Sequence, residues 1–236
     1  MNTTPIFYDT DCISSFLKID RIDLLKNLFK EILMPKQVYD ELISPDSYWL
    51  VKKNAELLKK EGFLKIVTIE ANFEQLKNYN SMISGKLMKP IGKGEAAALS
   101  LAITNKGIIA SNNLRDIEKI AKKHNIPILT SSIILTALCE LRLYSKDEIE
   151  KIWKAMQKRN TKLPEKTFEK YYAKLFKKDY IEFNLKKYYE KLIETKWEII
   201  ETYFRDISIL IFKKIFNNSK KIPHIQKLLL KSKNIH

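Results

Sequence analysis

The sequence predicts an α/β protein: a three-layer α/β/α domain with a central parallel sheet, followed by an all-helical extension. Two observations support this prediction. Over residues 1–150, short runs of β-forming residues alternate with stretches of helical periodicity, as in parallel strands joined by helices. Beyond residue 146 the β-type runs disappear while helical periodicity continues. A chain of 236 residues that is 45% hydrophobic can also bury a substantial core.

The first half of the domain contains three predicted strands. They are expected at 6–8, 31–34 and 63–68. Leucines at helical spacing predict a helix over about 24–29, and Pro35 is expected in the first turn of the next helix. A longer helix is predicted over 48–60, and Gly62 is expected to end it.

The second half has a sharper pattern. Residues 71–91 predict a less regular helix, and the following helix begins near Gly94 and is stopped by Gly107. Strands are predicted at 107–111 and 126–129. Helices are predicted through Ile117 to Ala121, from a cap at Thr130, Ser131 or Ser132 to Leu143, and at 146–158, 164–176 and 185–216.

Cysteine usage and the N-terminus indicate the compartment. The two cysteines, Cys12 and Cys139, lie far apart in apolar stretches, which predicts neither a disulfide framework nor a thiolate metal site. The N-terminus lacks a signal pattern, and the longest apolar runs are too short to cross a membrane. We therefore expect a cytoplasmic protein without a membrane span.

Charge is distributed unevenly along the chain. Residues 1–150 contain 21 basic and 19 acidic residues, whereas residues 151–236 contain 22 basic and 9 acidic residues. A strongly basic region attracts phosphates and releases counterions on binding them. The division predicts a domain over 1–150 and a basic helical extension over 151–236, with nucleic acid as the expected partner and an anionic membrane surface as a weaker alternative.

Carboxylates recur where predicted strands pass into helices. Asp9 follows the first strand, and Glu41 and Glu95 lie early on helices. Ligands of open α/β sheets bind beyond the carboxyl ends of the strands, so these side chains can converge there. Their oxygens suit Mg²⁺ or Mn²⁺, which could activate water and stabilise charge on a phosphate. Taken singly, they also fit a helix cap, a solvated helix residue and a favourable charge at a helix N-terminus.

Four stretches of the sequence carry a family resemblance. They are Ile6–Thr10, Met34–Leu42, Gly92–Glu95 and Ile108–Leu129. In their order and spacing they resemble the PIN-domain family, which includes toxin ribonucleases of the VapC type, over about residues 5–176. The resemblance implies a four-acid, metal-dependent nuclease site and RNA as the usual substrate.

The resemblance also assigns roles to individual residues. It matches Asp9, Glu41 and Glu95 to the first three acids of the family, whereas Asn113, with Asn112 as the alternative, stands where a fourth acid is usual. An asparagine oxygen can coordinate a cation but adds no negative charge.

Two further acids lie near these positions. Asp116 follows Asn113 by three residues and can face the same side of one helical turn, where it would contribute a catalytic or metal-binding carboxylate. The alternative is a surface acid beside Arg115. Asp11 would share the side of Asp9 only if the chain stayed extended there.

Basic residues provide candidate contacts to nucleic acid. Lys93 and Arg115 lie close to the acids in sequence and could steady a phosphate. In the extension, lysines interleave with aromatic residues, which could stack on bases. The candidates there are Lys174, Lys177, Lys178, Lys186 and Lys187. The same aromatic residues could instead form core or dimer contacts, and the lysines a solvated face.

The prediction that unites these observations is a metal-dependent endoribonuclease with a partly degenerate acidic site, acting as a toxin or defence effector. The expected partners are RNA, with DNA as the alternative, a protein inhibitor or antitoxin, and a second copy of the chain. The rival hypothesis is a non-catalytic RNA- or DNA-binding module in which the incomplete acid set is a remnant.

Overall fold

A parallel sheet forms the centre of the molecule. The computed structural model describes residues 4–70, 73–85, 89–140 and 142–175. Its strands are β1 (Ile6–Tyr8), β2 (Ile32–Pro35), β3 (Leu64–Val67), β4 (Ile108–Ala110) and β5 (Ile128–Leu129). They pair in the order β3-β2-β1-β4-β5, and every pair is parallel. The chain builds outward from β1 to one edge and then returns to build β4 and β5, so strand order reverses between β1 and β4.

Helices follow the strands in the described part of the chain. They are α1 (Thr10–Leu17), α2 (Asp23–Lys26), α3 (Lys36–Leu42), α4 (Trp49–Lys60), α5 (Phe73–Ser84), α6 (Lys93–Thr104), α7 (Leu114–His124), α8 (Ser131–Glu140), α9 (Lys146–Lys158) and α10 (Phe168–Leu175). The helix predicted over 185–216 lies outside the described residues.

Two buried clusters cover the two faces of the sheet. Because side chains alternate along a strand, Phe7 and Ile109 join the helices α6 and α7 on one face. Tyr8 and Ala110 join α1 and α8 on the other face. The three-layer α/β/α prediction is therefore confirmed.

The second cluster also includes helices from the predicted extension. Trp153 of α9 and Phe168 of α10 are buried in it, and their rings lie 5.6 Å apart. The predicted division of the chain at residue 150 stays a prediction. Within the described residues, no helix is both long and apolar enough to cross a membrane.

Several helix boundaries differ from prediction for local reasons. Helix α2 is a single turn, and α8 ends at Glu140 rather than Leu143. Helix α10 begins at Phe168 rather than near residue 164, because the Glu165 carbonyl accepts hydrogen bonds from Trp153 Nε1 (3.0 Å) and Gln157 Nε2 (3.1 Å). Because both hydrogen bonds to that carbonyl come from α9 side chains, it does not accept the first backbone hydrogen bond of α10.

Close strand contact at β4 depends on a glycine. A Cβ atom at Gly107 would lie 2.6 Å from the Pro5 carbonyl oxygen, closer than any side chain tolerates. With Gly107 in place, β1 and β4 pair in a register that aligns Tyr8 with Ala110. The two strands therefore end at the same level.

Candidate active site

The point where strand order reverses places two loops side by side. Tyr8 and Ala110 end β1 and β4 in register, and Asp9 N donates to the Ala110 carbonyl at 2.9 Å. Asp9 and Ser111 are consequently neighbours at the carboxyl edge of the sheet. Ligands bind at this edge in open α/β folds.

Asp9 is buried, and both oxygens of its side chain accept hydrogen bonds. Its side chain is the N-cap of α1, and the residue is only 3% exposed. Oδ1 accepts from Thr10 N at 2.6 Å, and Oδ2 accepts from Ser111 Oγ at 2.9 Å. Burial, followed by the charges of Asp11 and Glu95, raises the pKa of Asp9 well above its ordinary value. The site therefore favours a proton or a cation at this carboxylate.

Asp11 lies beside the same loop. Its Oδ1 accepts from Asn112 N at 3.0 Å and lies 3.4 Å from Ser111 Oγ. Burial raises the pKa of Asp11 as well. Sequence reasoning required an extended chain to bring Asp11 to the side of Asp9. Helix α1 instead starts at Thr10, and its first turn lies against the loop after β4.

Glu41 approaches the first turn of α6. Its Oε2 accepts a hydrogen bond from Thr10 Oγ1, which connects it to the residue beside Asp9. A Cβ atom at Gly94 would lie 3.1 Å from both carboxylate oxygens of Glu41 and 3.1 Å from Val38 Cγ2. The missing side chain at Gly94 makes room for the Glu41 carboxylate.

Glu95, Asn113 and Asp116 form a second, less buried group in the candidate site. Asn113 Nδ2 donates to Glu95 Oε1 and, at 2.9 Å, to Asp116 Oδ2. Glu95 Oε2 also accepts from Gly92 N at 3.0 Å and so caps α6. The hydrogen bond from Asn113, with a smaller contribution from Arg115, lowers the pKa of Asp116. One neutral amide thus holds two carboxylates together.

The Asn112 side chain makes no contact with a carboxylate, unlike that of Asn113. Its Oδ1 accepts from Ser131 N at 2.8 Å, and its Nδ2 donates to Ser131 Oγ at 2.9 Å and to Ser15 Oγ at 3.2 Å. Asn112 therefore ties α1 to the start of α8. Of the two asparagines, the structure brings Asn113 to the predicted acids.

Comparison with known proteins identifies the family. The sequence model of the family described as DUF3368: PIN domain matches residues 5–177, which is most of the chain. The chain belongs to the PIN-domain family. The predicted resemblance is therefore confirmed, and with it membership in a family of nuclease type.

Solved structures provide a second comparison. VapBC-1 from nontypeable Haemophilus influenzae matches with 16% identity and a TM-score of 0.40, over 54% of this chain and 98% of that chain. DNA-bound VapBC from Salmonella typhimurium matches with 16% identity and a TM-score of 0.41, over 55% of this chain and 99% of that chain. No curated protein matches the sequence.

Two hydroxyl residues of this PIN domain were missed by sequence reasoning. Ser111 is fully buried; its Oγ donates to Asp9 and accepts from Asn113 N at 3.1 Å. Thr10 contacts Asp9 through its backbone and Glu41 through its side chain. Ser111 is the last residue of the predicted strand 107–111, and Thr10 follows the predicted strand 6–8 by two residues. Their places at strand ends are the signal that could have identified them.

The predicted phosphate contacts are distributed widely. Lys93 is exposed at the first position of α6, and the Arg115 side chain is 82% exposed with its Nε 3.3 Å from Asp116 Oδ1. Lys174 lies on α10 and pairs with Glu165 at 2.9 Å. The remaining candidates, Lys177, Lys178, Lys186 and Lys187, lie outside the described residues.

Neutral donors link several acids of this PIN domain. Thr10, Ser111 and Asn113 stand between them. Across the described ranges, no three acidic, histidine or cysteine side chains approach closely enough to hold a metal ion in this arrangement. The donor chemistry nevertheless fits Mg²⁺ or Mn²⁺, because every candidate ligand is a carboxylate or amide oxygen.

Proposed function

We propose that this PIN-domain protein is a metal-dependent endoribonuclease that acts as a toxin or defence effector. The observation that carries the proposal is a hydrogen-bond network at the reversal of strand order: Thr10 connects Asp9 to Glu41, and Ser111 and Asn113 connect Asp9 to Glu95. The nearby buried or half-buried acids would repel one another without a cation or protons to offset their charge; they are Asp9, Asp11, Glu95 and Asp116.

Asp9, Glu41 and Glu95 would hold the cation, with Asn113 and Asp116 completing the set. The room beside Gly94 suits this role because it lets Glu41 lie against α6 without a steric clash. A bound Mg²⁺ or Mn²⁺ would supply an activated water and neutralise charge on the scissile phosphate.

The chain's own residues prepare the site for a phosphodiester. The Ser111 hydroxyl fixes one oxygen of Asp9, and Thr10 positions Glu41, so both acids are held before substrate arrives. Lys93 and Arg115 are exposed near Glu95 and Asp116, where they can contact the phosphates of a bound strand.

RNA is the proposed substrate, with DNA as the alternative. The excess of basic residues over 151–236 supports a nucleic-acid partner because it favours phosphates through counterion release. We further propose a protein inhibitor or antitoxin as a partner, self-association into a homo-oligomer, and a cytoplasmic location, in keeping with the PIN-domain family.

Conversion of Glu95 to glutamine tests the metal site. Glu95→Gln removes a charge with almost no change of volume, so the protein should still fold, as checked by its melting temperature. Mn²⁺ affinity measured by calorimetry and cleavage of single-stranded RNA should both fall. Glu118→Gln is the matched control, because Glu118 lies on α7 and pairs with Lys122 at the surface. Equal Mn²⁺ affinity in Glu95→Gln and Glu118→Gln would rule out the proposed site.

Charge in the extension has its own test. Replacing Lys177, Lys178, Lys186 and Lys187 by glutamine should make log affinity for RNA fall less steeply with log salt, by about 0.7 for each phosphate that the lysines no longer neutralise. An unchanged slope would mean that these lysines are only a solvated face.

A non-catalytic RNA- or DNA-binding module is the second candidate. It is favoured by the neutral donors between the acids and by the spacing of the described carboxylates, no three of which approach metal-holding distance. Phosphodiester cleavage that requires Mn²⁺ and stops with a chelator would exclude it.

A further inference from the structure

Trp49 is an exposed aromatic side chain on a firmly held helix. It opens α4 and is 62% exposed, more than any other large hydrophobic residue in the described part of the chain. Asn54 holds the same helix by donating to the Leu17 carbonyl at 3.0 Å and to Asp20 Oδ1 at 2.9 Å. An indole left in water on a fixed helix gives up a large burial free energy, which favours a role in binding.

A second ring and a cation accompany Trp49. The Tyr48 ring lies 5.9 Å from the Trp49 ring at an interplanar angle of 61°. Arg159 covers Tyr48 with its guanidinium carbon 5.2 Å from the ring centroid. Lys52 and Lys53 follow Trp49 at helical spacing and share its side of α4.

These cations are available to an anionic ligand. Within the ranges the structure covers, Arg159, Lys52 and Lys53 form no ion pair with a carboxylate. Asp46 and Glu56 are the exposed acids closest in sequence, so basic residues outnumber acidic ones at this position. The surface is therefore aromatic and positively charged.

This surface is tethered to the candidate active site. Ser47 Oγ donates to the Glu41 carbonyl oxygen at 2.6 Å and lies 3.0 Å from Ser44 Oγ. Trp49 follows Ser47 by two residues, so their Cα atoms are at most about 7 Å apart. The Glu41 backbone and the start of α4 are therefore close together, within the reach of one bound strand.

We propose that Tyr48, Trp49 and Arg159 form a stacking platform for a base of single-stranded RNA next to the scissile phosphate. The proposal rests on the proposed ribonuclease function and names how the substrate is gripped. Indole and guanidinium planes both stack on bases without sequence preference, while the unpaired cations contact the backbone. Lysines are depleted at protein–protein interfaces, so Lys52 and Lys53 beside the rings favour RNA over a protein partner.

Binding of a fluorescently labelled single-stranded oligouridylate of about eight nucleotides tests the platform. The full-length chain carries Glu95→Gln and is kept in chelator so that the RNA stays intact. Trp49→Ala should raise Kd roughly 5- to 100-fold without changing the salt dependence, whereas Trp49→Phe should recover most of the affinity. Leu57→Ala is the matched control, because Leu57 is 38% exposed on the same helix and should stay within about twofold of the parent.

Arg159→Gln separates the charge from the ring. It should make the salt dependence of log Kd shallower by about 0.7 if the guanidinium contacts a phosphate. With Trp197→Phe in both proteins, RNA should also quench tryptophan fluorescence less in Trp49→Ala than in the parent, since the remaining Trp153 is buried.

Three results would overturn the platform. The first is an unchanged Kd in Trp49→Ala, which leaves the ribonuclease proposal standing if the wild-type chain still cleaves RNA. The second is an equal loss of affinity for single-stranded and duplex RNA, because a paired base cannot stack on Trp49. The third is a change in oligomeric state, by sedimentation, without a change in RNA binding, which would assign Trp49 to a protein contact. Failure of the parent to bind RNA, together with no cleavage of RNA by the wild-type chain in Mn²⁺, would remove both proposals.

Discussion

The candidate active site has two parts that hold negative charge differently. The inner half consists of Asp9, Asp11 and Ser111, and the rim half consists of Glu95, Asn113 and Asp116. In the inner half, burial raises the pKa of both aspartates even though each accepts hydrogen bonds. In the rim half, the Asn113 amide lowers the pKa of Asp116.

The contrast shows which force dominates at each depth. Moving a carboxylate out of water costs more free energy than hydrogen bonds from two or three neutral donors restore. A cation would therefore stabilise the inner half most. At the rim, water still solvates the carboxylates, and one amide is enough to hold them. In the proposed metal site, the inner half would therefore contribute most of the affinity and the rim half would adjust it.

The largest expected effect comes from the inner half. Asp9→Asn removes the buried charge and should lower RNA cleavage on the order of 100-fold or more, the scale for losing one electrostatic group of an active site. Asp40→Asn is the control, because Asp40 is exposed beside Glu41 and pairs with Lys36. Cleavage by Asp9→Asn at the rate of Asp40→Asn would show that the inner half does not carry the chemistry.

Ser111→Ala tests how far the inner half depends on its hydroxyl. Asp9 and the Asn113 backbone would lose a buried partner, which should destabilise the fold by roughly 1–3 kcal/mol. Cleavage should fall roughly 10- to 100-fold because Asp9 loses its orientation. Ser132→Ala removes another buried serine hydroxyl, bonded to Thr130 away from the acids, and should leave cleavage near the wild-type rate.

Asn113→Asp sharpens the comparison at the rim. It replaces a donor shared by Glu95 and Asp116 with a third carboxylate, so the chelated protein should melt a few degrees lower. Mn²⁺ should raise the melting temperature more in the mutant than in the wild type, because binding to the folded state stabilises it. Matching Mn²⁺ shifts in the two proteins would place Asn113 outside the metal site.

The pH dependence of stability separates the halves further. Because the folded-state pKa of Asp9 is raised, its contribution to stability is fully present below the ordinary aspartate pKa of 3.8 and is lost as pH rises through the folded-state pKa. In chelator, Asp9→Asn should therefore melt above the wild type at neutral pH, by a margin that shrinks on acidification. A margin independent of pH would contradict the assignment of the raised pKa to Asp9.

The smallest effect is expected at Gly94. Gly94→Ala places a methyl group 3.1 Å from the Glu41 carboxylate, which is exposed and can turn aside, and 3.1 Å from Cγ2 of the buried Val38, so the free energy of unfolding should fall by roughly 1 kcal/mol. Displacement of Glu41 should still reduce cleavage several-fold. Gly92→Ala is the control, since its Cβ meets Glu95 Oε2 at an ordinary 3.4 Å. Equal cleavage by the two variants would mean that Glu41 needs no room at α6.

Much of the scaffold was predictable because its signals are local. The strands β1 and β4 appear as apolar runs. Asp9 directly follows β1, and Glu95 lies in the first turn of α6. Parallel strands then bring these positions to one edge without further information. Helix ends were less predictable, as at α10, where a carbonyl needed for the first turn is taken by Trp153 and Gln157.

The sequence by itself determined the three-layer α/β/α fold, because periodicity and strand ends depend on nearby residues, and the resemblance of four short stretches predicted the family. Tertiary structure alone decided which asparagine joins the acids. Asn113 faces Glu95, whereas Asn112 faces Ser131, because adjacent loop residues point in different directions set by the backbone. It also decided that Ser111 shares its hydroxyl with Asp9, a partner 102 residues away in sequence. Such contacts depend on how the loops after β1 and β4 pack together, and no local pattern encodes that packing.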